Sequence, residues 1–354
     1  TSAVLVLSIS GVRPAAAPAQ STARPCTTPA AVCTEFVALG GGPGRSKIYR
    51  SYPLGTRNDA IRRALIMVHG TNRNADHYFE TSVAAAFIAG ALEDTIVIAP
   101  HMIDRRDPAA ENEIVWETSW RTGGPSQSHP TLTSFDFIDE VLRKLATKSV
   151  FPNMRAIVVA GHSAGGQFAN RYGMSNKIHD TIGVPVSYVV ANPSSYAWPD
   201  PIRPLPTGDA DPATAKEGWN QRDETPLPPH TNYTFGPFDA TKAPNFNRWP
   251  AGFENRTGYN ASISDAQLKK QLIERPTTYL LGQVDTLPLG GFDSSPNAMA
   301  QGPTRRARGE AYYKYVTETL GAKHKILIVS ECGHNNRCMY TTNDVFPYVF
   351  PKVN

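Results

Sequence analysis

The run Arg155-Ala-Ile-Val-Val-Ala-Gly-His-Ser163-Ala-Gly-Gly166, followed by Gln-Phe-Ala-Asn-Arg-Tyr-Gly-Met174, decides the fold. The segment Arg155–Ala160 is almost continuously apolar, as expected of a strand buried on both faces of a parallel sheet. The segment Ser163–Met174 is helical in composition. Because the glycines between them allow a sharp change of direction, the pattern predicts strand, tight turn and helix, with Ser163 at the turn.

Working outward from this run, strand-like and helical segments alternate along the chain. We predict strands at Glu35–Leu39, Lys47–Pro53, Ala64–Val68, Thr95–Ala99, Arg155–Ala160, Val186–Ala191, Thr278–Leu281 and Lys325–Ser330. We predict helices at Ala75–Leu92, Thr131–Thr147, Ser163–Met174 and Thr304–Leu320. Such alternation predicts an α/β fold, a mostly parallel central sheet with helices on both faces.

Composition limits the class of protein. The chain has 354 residues, of which 40% are hydrophobic and only 19% charged, so it can bury a large core. The net charge of +4 is too small and too scattered to indicate nucleic-acid binding. No apolar run reaches the roughly 18 residues of a membrane span. We therefore expect a single globular domain over residues 21–354, without an integral membrane segment.

The N-terminal segment and the cysteines both indicate export. Residues 1–20 combine a short apolar run with an A-x-A-like stretch, which predicts a signal-peptide remnant, with a buried N-terminal strand as the alternative. The cysteines form two local pairs, Cys26 with Cys33 and Cys332 with Cys338. Local pairing as disulfides is the most economical of the three possible connectivities, and metal binding is the alternative. Disulfides favour an extracellular or periplasmic location.

One long stretch interrupts the alternation. Residues 192–256 are rich in proline with interspersed aromatic residues. We interpret this stretch as an excursion packed over one end of the sheet rather than a second domain. Ordered loops of such length tend to be functional.

Ser163 is the candidate nucleophile, and it needs an oriented base. His334 follows the last predicted strand and is flanked by cysteines, so we predict it as the general base. The orienting carboxylate should follow an earlier strand, and Asp285 comes just past Thr278–Leu281. Asp293 and Asp200 are the competing candidates.

A reaction through a tetrahedral intermediate also needs backbone donors for the oxyanion. The N–H of Ala164, next to the nucleophile, is one candidate. The loop after Ala64–Val68 supplies the second, for which we predict Thr71, with Asn72 as the alternative. His69, which precedes Gly70, is expected to be structural.

These motifs resemble an α/β-hydrolase-fold serine hydrolase of the secreted esterase/lipase type. The likeness covers about residues 35–350 and implies an acyl-enzyme mechanism. The sequence contains no phosphate loop, dinucleotide fingerprint or metal-ligand spacing, so no cofactor or metal is expected. Two departures are the long spacing from Asp285 to His334, caused by an extra loop (Leu287–Pro303), and the absence of an HGGG stretch. The function predicted is hydrolysis of small, aromatic or polymer-borne carboxylic esters. A serine peptidase or amidase of the same fold and a non-catalytic binding protein are the alternatives.

Five residues are candidates for substrate binding at the same edge of the sheet. They follow the strands Thr95–Ala99 and Val186–Ala191 and are Trp116, Trp120, Arg121, Tyr196 and Trp198. The alternative is that these side chains pack the excursion onto the sheet. The cluster Arg305-Arg306-Ala-Arg308 opens a predicted helix, where cations are unfavourable, so we expect ion pairs there or an anion site.

Overall fold

The computed structural model describes residues 24–207 and 233–353, so the predicted signal-peptide remnant lies outside the described residues. The strands are β1 (Thr34–Ala38), β2 (Arg45–Arg50), β3 (Arg63–Val68), β4 (Thr95–Pro100), β5 (Ala156–His162), β6 (Val186–Ala191), β7 (Ile202–Pro206), β8 (Tyr233–Pro237), β9 (Thr277–Gly282) and β10 (Lys325–Val329). The helices are α1 (Ala75–Ile88), α2 (Ser134–Leu145), α3 (Ala164–Ser175), α4 (Asp265–Glu274), α5 (Pro296–Met299), α6 (Arg305–Lys314), α7 (Asn336–Thr341) and α8 (Phe346–Val349).

Eight of these strands form one sheet in the order β1-β2-β4-β3-β5-β6-β9-β10. β2 pairs antiparallel with both β1 and β4, and the remaining five neighbouring pairs are parallel. The predicted α/β class with a mostly parallel sheet is therefore confirmed. Carboxyl ends of parallel strands meet at one edge, so the loops after β3, β5, β6, β9 and β10 converge there.

The central strands are buried on both faces, which explains their continuous apolar runs. Alternate side chains enter two separate cores. α2 and α3 cover one face, and α1 and α7 cover the other. Neighbouring residues accordingly divide between the two cores: Ile66, Ile98 and Val159 with Phe135 and Phe168 on one side, Leu65, Val97 and Val158 with Phe79 and Met339 on the other.

Local signals account for helix ends that differ from the prediction. α2 begins at Ser134 because Thr133 and Asp136 form a reciprocal capping box. α1 ends at Ile88, two residues before Gly90, whose φ of 64° suits glycine. The predicted helix Thr304–Leu320 is divided into α6 and a π-helical turn, Tyr315–Thr319.

The proline-rich excursion contains structure that the sequence did not predict. β7 and β8 form a separate antiparallel pair, which tolerates Pro204 because each strand has only one partner. Farther along, Trp249 Nε1 donates to Thr122 O at 3.1 Å and Arg171 donates to Pro250 O, so this part packs beside α3. Within the described ranges, no helix is long and apolar enough to cross a bilayer.

Candidate active site

Ser163 occupies a strained turn between β5 and α3. Its φ of 59° and ψ of −117° are rare for a residue with a side chain. A Cβ on Gly161 would lie 2.2 Å from Gly165 O, and one on Gly165 would lie 2.1 Å from Val68 O. Only glycine fits at these two positions, because the turn closes on itself and against the end of β3. The serine is therefore held at the carboxyl edge of the sheet, 7% exposed.

Asp285 and His334 come together at the same edge, after β9 and β10. Nδ1 of His334 lies 2.9 Å from Oδ2 of Asp285, and Asp285 is 1% exposed. Because a carboxylate can only accept, Nδ1 carries the proton and Nε2 is left as an acceptor. Of the competing acids, Asp293 accepts the Ser295 N–H, and Asp200 pairs with Lys269. Neither competitor contacts His334.

The His334 loop is fixed next to the serine turn. The His162 ring, one residue before Ser163, lies 4.6 Å from the His334 ring, centroid to centroid. Asn192, at the end of β6, accepts the Gly282 N–H at 2.8 Å and donates to Gly333 O at 3.2 Å. These contacts place residues 163 and 334 on one side of the molecule. Ser163 Oγ and His334 Nε2 are not hydrogen-bonded to each other, and Nε2 is buried without a partner among the described residues.

His162 is neutral in this site. Burial, followed by electrostatic repulsion from His334 and Arg305, lowers the pKa of His162 well below its ordinary value. Its Nδ1 lies 3.1 Å from the Tyr78 hydroxyl. A neutral imidazole packed beside His334 adds no repulsion when His334 takes up a proton.

The predicted oxyanion loop lies against the serine turn. A Cβ built on Gly70 would be 3.7 Å from Ser163 Cβ. The N–H groups of Thr71 and Ala164 have no acceptor among the described residues, so both are available as donors. His69 is structural, as expected: Met102 N–H donates to Nε2 at 3.1 Å, so Nδ1 carries the proton and donates to Gly70 O. Burial lowers the pKa of His69 to about 3 and keeps it neutral.

Arg305 is a site residue that sequence reasoning placed only in a basic cluster. Its buried guanidinium donates to Asp285 Oδ1 at 3.4 Å and to Ser194 Oγ at 3.0 Å. It also donates to the carbonyls of Leu289 and Gly290. The cluster therefore contains ion pairs, since Arg306 also pairs with Glu310. The one sequence signal for this role was the position of a cation at the start of a helix, where it is unfavourable without an acidic partner.

The extra loop Leu287–Pro303 covers one side of the site. A Cβ on Gly290 would lie 3.0 Å from His334 Cδ2, and one on Gly291 would lie 3.6 Å from Thr71 Cγ2. This loop thus lies close to both the imidazole and the oxyanion loop. Leu289 and Val284, 57% and 46% exposed, add apolar surface beside it.

Four of the five predicted substrate-binding side chains lie in the core. Trp116 and Trp120 are 1% and 3% exposed, and Tyr196 and Trp198 are fully buried. Their rings pack internally, Trp120 against His69, and Tyr196 and Trp198 against Tyr312. This burial supports the alternative that they pack the structure together. Only Arg121 is partly exposed.

Both local cysteine pairs are disulfide-bonded, Cys26 with Cys33 and Cys332 with Cys338, each with Cα atoms 5.7 Å apart. The second bridge spans the loop that carries His334. Within residues 24–207 and 233–353, no cluster of three or more histidine, cysteine or acidic side chains is placed to hold a metal.

A mostly parallel sheet with a serine turn after its central strand, an acid after β9 and a histidine after β10 is the arrangement of an α/β hydrolase. The alpha/beta hydrolase family model matches residues 65–346, and the chain belongs to that family.

Many solved structures share the fold, including the following two. The poly(3-hydroxybutyrate) depolymerase from Bordetella parapertussis is 20% identical, with a TM-score of 0.56 over 89% of this chain and 87% of that one. Poly(aspartic acid) hydrolase-1 from Sphingomonas sp. KT-1 is 23% identical, with a TM-score of 0.50 over 86% of this chain and 95% of that one. No curated protein matches the sequence significantly.

Proposed function

We propose that the protein is a secreted serine hydrolase of carboxylic esters that acts through Ser163, His334 and Asp285. The observation that carries the proposal is the Asp285–His334 contact of 2.9 Å at the sheet edge where Ser163 stands on its turn. The two disulfides support an oxidising compartment.

In the proposed reaction, Ser163 Oγ attacks the ester carbonyl while His334 Nε2 takes its proton. Asp285 holds the imidazole in the required tautomer and stabilises the imidazolium. The N–H groups of Thr71 and Ala164 stabilise the oxyanion. His334 then protonates the departing alcohol, and water activated by the same imidazole hydrolyses the acyl-enzyme. The Ser163–His334 hydrogen bond forms when substrate is bound, since catalytic hydrogen bonds often tighten only then.

The decisive variant is Ser163→Ala, assayed with para-nitrophenyl butyrate. We expect kcat to fall by about 10⁴-fold or more, the scale for loss of a triad serine. The matched control is Ser149→Ala at an exposed serine, which should retain wild-type turnover. Full turnover by folded Ser163→Ala protein would exclude this site.

A substrate panel separates the ester hydrolase from the amidase alternative. It compares butyrate esters with the matching anilide and includes a poly(3-hydroxybutyrate) film, because one similar structure is a poly(3-hydroxybutyrate) depolymerase. We expect ester cleavage only. A kcat/KM for the anilide equal to that for the ester would replace the proposal with a peptidase or amidase.

A further inference from the structure

Two polar side chains extend the site along α3 from Ser163. Gln167 and Arg171 follow the serine by one and two helical turns and lie on the same face. Both donate to Ser195 Oγ, from Gln167 Nε2 at 3.1 Å and from Arg171 Nη2 at 3.2 Å. Helical side chains lean toward the N-terminus. Because both side chains donate to the same Ser195 Oγ, the Arg171 guanidinium lies at the level of Gln167, about 6 Å along the helix from Ser163.

The hydrogen bonds of Arg171 leave one side of its guanidinium without a partner. Nε and Nη2 each donate to Pro250 O at 3.1 Å, and Nη2 also donates to Ser195. Nη1 is buried and has no partner among the described residues, and Arg171 is 1% exposed. A buried N–H without an acceptor lowers the stability of the folded protein, and a buried charge without a counter-charge lowers it further.

A second guanidinium lies on the element packed against α3. Arg121, in the turn Thr118–Thr122 that packs on α3, is partly exposed. It makes no hydrogen bond or ion pair within the part of the chain that the structure describes. Burial, followed by repulsion from Arg121, lowers the pKa of Arg171 to about 9.

Within residues 24–207 and 233–353, no acidic side chain forms an ion pair with Arg121 or Arg171. Asp293, on the extra loop, is the acid whose charge acts on Arg171. Its carboxylate accepts the Ser295 N–H and forms no ion pair with a described arginine. Both guanidinium groups thus retain N–H donors for an anion. The planar guanidinium fork matches a carboxylate, and such hydrogen bonds are the strong ones.

We propose that Arg121 and Arg171 bind a carboxylate on the acyl part of the substrate, about one helical turn from the reacting carbonyl. The inference rests on the proposed function, because that function sets how the substrate is oriented in the site. The leaving alcohol must lie beside His334, whereas the two arginines belong to α3 and the turn packed on it. The substrate class is accordingly monoesters of dicarboxylic acids or acidic polymers.

The kinetic test compares two esters of equal acyl length, mono-para-nitrophenyl adipate and para-nitrophenyl hexanoate, with Ser163→Ala protein as the background. We expect the wild-type kcat/KM to be higher for the adipate ester. Arg121→Gln should lower the adipate-to-hexanoate ratio about tenfold, the size of one charge-assisted hydrogen bond. The matched control is Arg57→Gln at an exposed, remote arginine, which should keep the wild-type ratio. An unchanged ratio in Arg121→Gln overturns the subsite.

A binding test is independent of turnover. Ser163→Ala protein is titrated calorimetrically with monomethyl adipate and dimethyl adipate. We expect the charged monoester to bind more tightly, and Arg121→Gln in the same background and added NaCl to weaken its binding. If binding is charge-selective but the wild-type protein hydrolyses neither nitrophenyl ester, the proposed function is contradicted while the carboxylate subsite is supported. Equal binding of the two methyl esters would mean that water alone satisfies Nη1, and would overturn it.

Discussion

Arg305 and Asp285 form an ion pair in which neither side chain is more than 1% exposed to solvent. The same carboxylate contacts His334 through its other oxygen. Arg305 therefore balances the charge of the acid that orients the proposed base. It also holds the Leu289 and Gly290 carbonyls of the loop that covers His334. Arg305 thus holds both the acid that orients His334 and the loop that covers it.

Replacing Arg305 with Gln should impair catalysis more than substrate binding. Loss of one partner from a buried pair leaves the Asp285 carboxylate without its arginine counter-charge and destabilises the fold by about 3 kcal/mol. We expect kcat to fall at least about tenfold with little change in KM, and Arg305→Lys to restore part of kcat. Steady-state kinetics on protein shown to be folded by circular dichroism test this. Arg306→Gln, next in sequence, is the control, and an equal loss of kcat in both variants would contradict a specific role for Arg305.

A methyl group at Gly290 should disturb the imidazole. Gly290 has a φ of 59°, and its Cβ would meet His334 Cδ2 at 3.0 Å. We expect Gly290→Ala to lower kcat strongly while the protein remains folded. Gly41→Ala is a matched control, because Gly41 has a similar φ of 68° but open space around the Cβ position. If the two variants lose kcat equally, backbone strain rather than contact with His334 explains the effect.

The disulfide Cys332–Cys338 should matter for activity, not only for stability. It closes the short loop that carries His334, so its removal lets the imidazole move relative to Ser163. We expect Cys332→Ser/Cys338→Ser to lose kcat at temperatures where the protein is still folded. The Cys26→Ser/Cys33→Ser variant, which removes the bridge before β1, should lower the unfolding temperature and retain kcat. Unchanged kcat in the first variant, with loss of the bridge verified by mass, would remove the proposed constraint on the loop.

Much of the site follows from local sequence, because each of its parts ends a strand. Apolar runs in the sequence predict β5, β9 and β10. Because these strands are parallel, their carboxyl ends share one sheet edge, where Ser163, Asp285 and His334 lie. The role of Arg305 could not be predicted from the sequence, because its contact with Asp285 depends on the path of the loop Leu287–Pro303. The burial of Trp116 and Trp198 likewise depends on tertiary packing, since an aromatic residue in a loop is compatible with either a core or a binding surface.

A buried carboxylate outside the site predicts a pH dependence of stability. Asp139 accepts hydrogen bonds from Tyr172 and Tyr259, and burial raises its pKa from 3.8 to about 6. The folded state therefore binds a proton that the unfolded state has released. The free energy of unfolding should fall as pH rises from about 4 to about 6, by about 2 kcal/mol over that range and by about 3 kcal/mol in total once the pH is well above 6.

Urea denaturation at several pH values checks this expectation. Asp139→Asn keeps a side chain of similar shape and cannot ionise, so its stability should lack this decrease. The informative quantity is the difference between the two proteins at each pH, because other titrating groups contribute equally to both. Parallel stability curves between pH 4 and 6 would show that Asp139 ionises in the folded protein as easily as in the unfolded chain.

Covalent labelling of the nucleophile tests the central proposal most directly. An alkyl fluorophosphonate reacts with a serine only when a neighbouring base takes its proton. Peptide mass spectrometry should find one adduct, on the peptide that contains Ser163, formed much more slowly in His334→Gln protein. An adduct on another serine, or labelling of Ser163 at the same rate without the imidazole, would contradict the account.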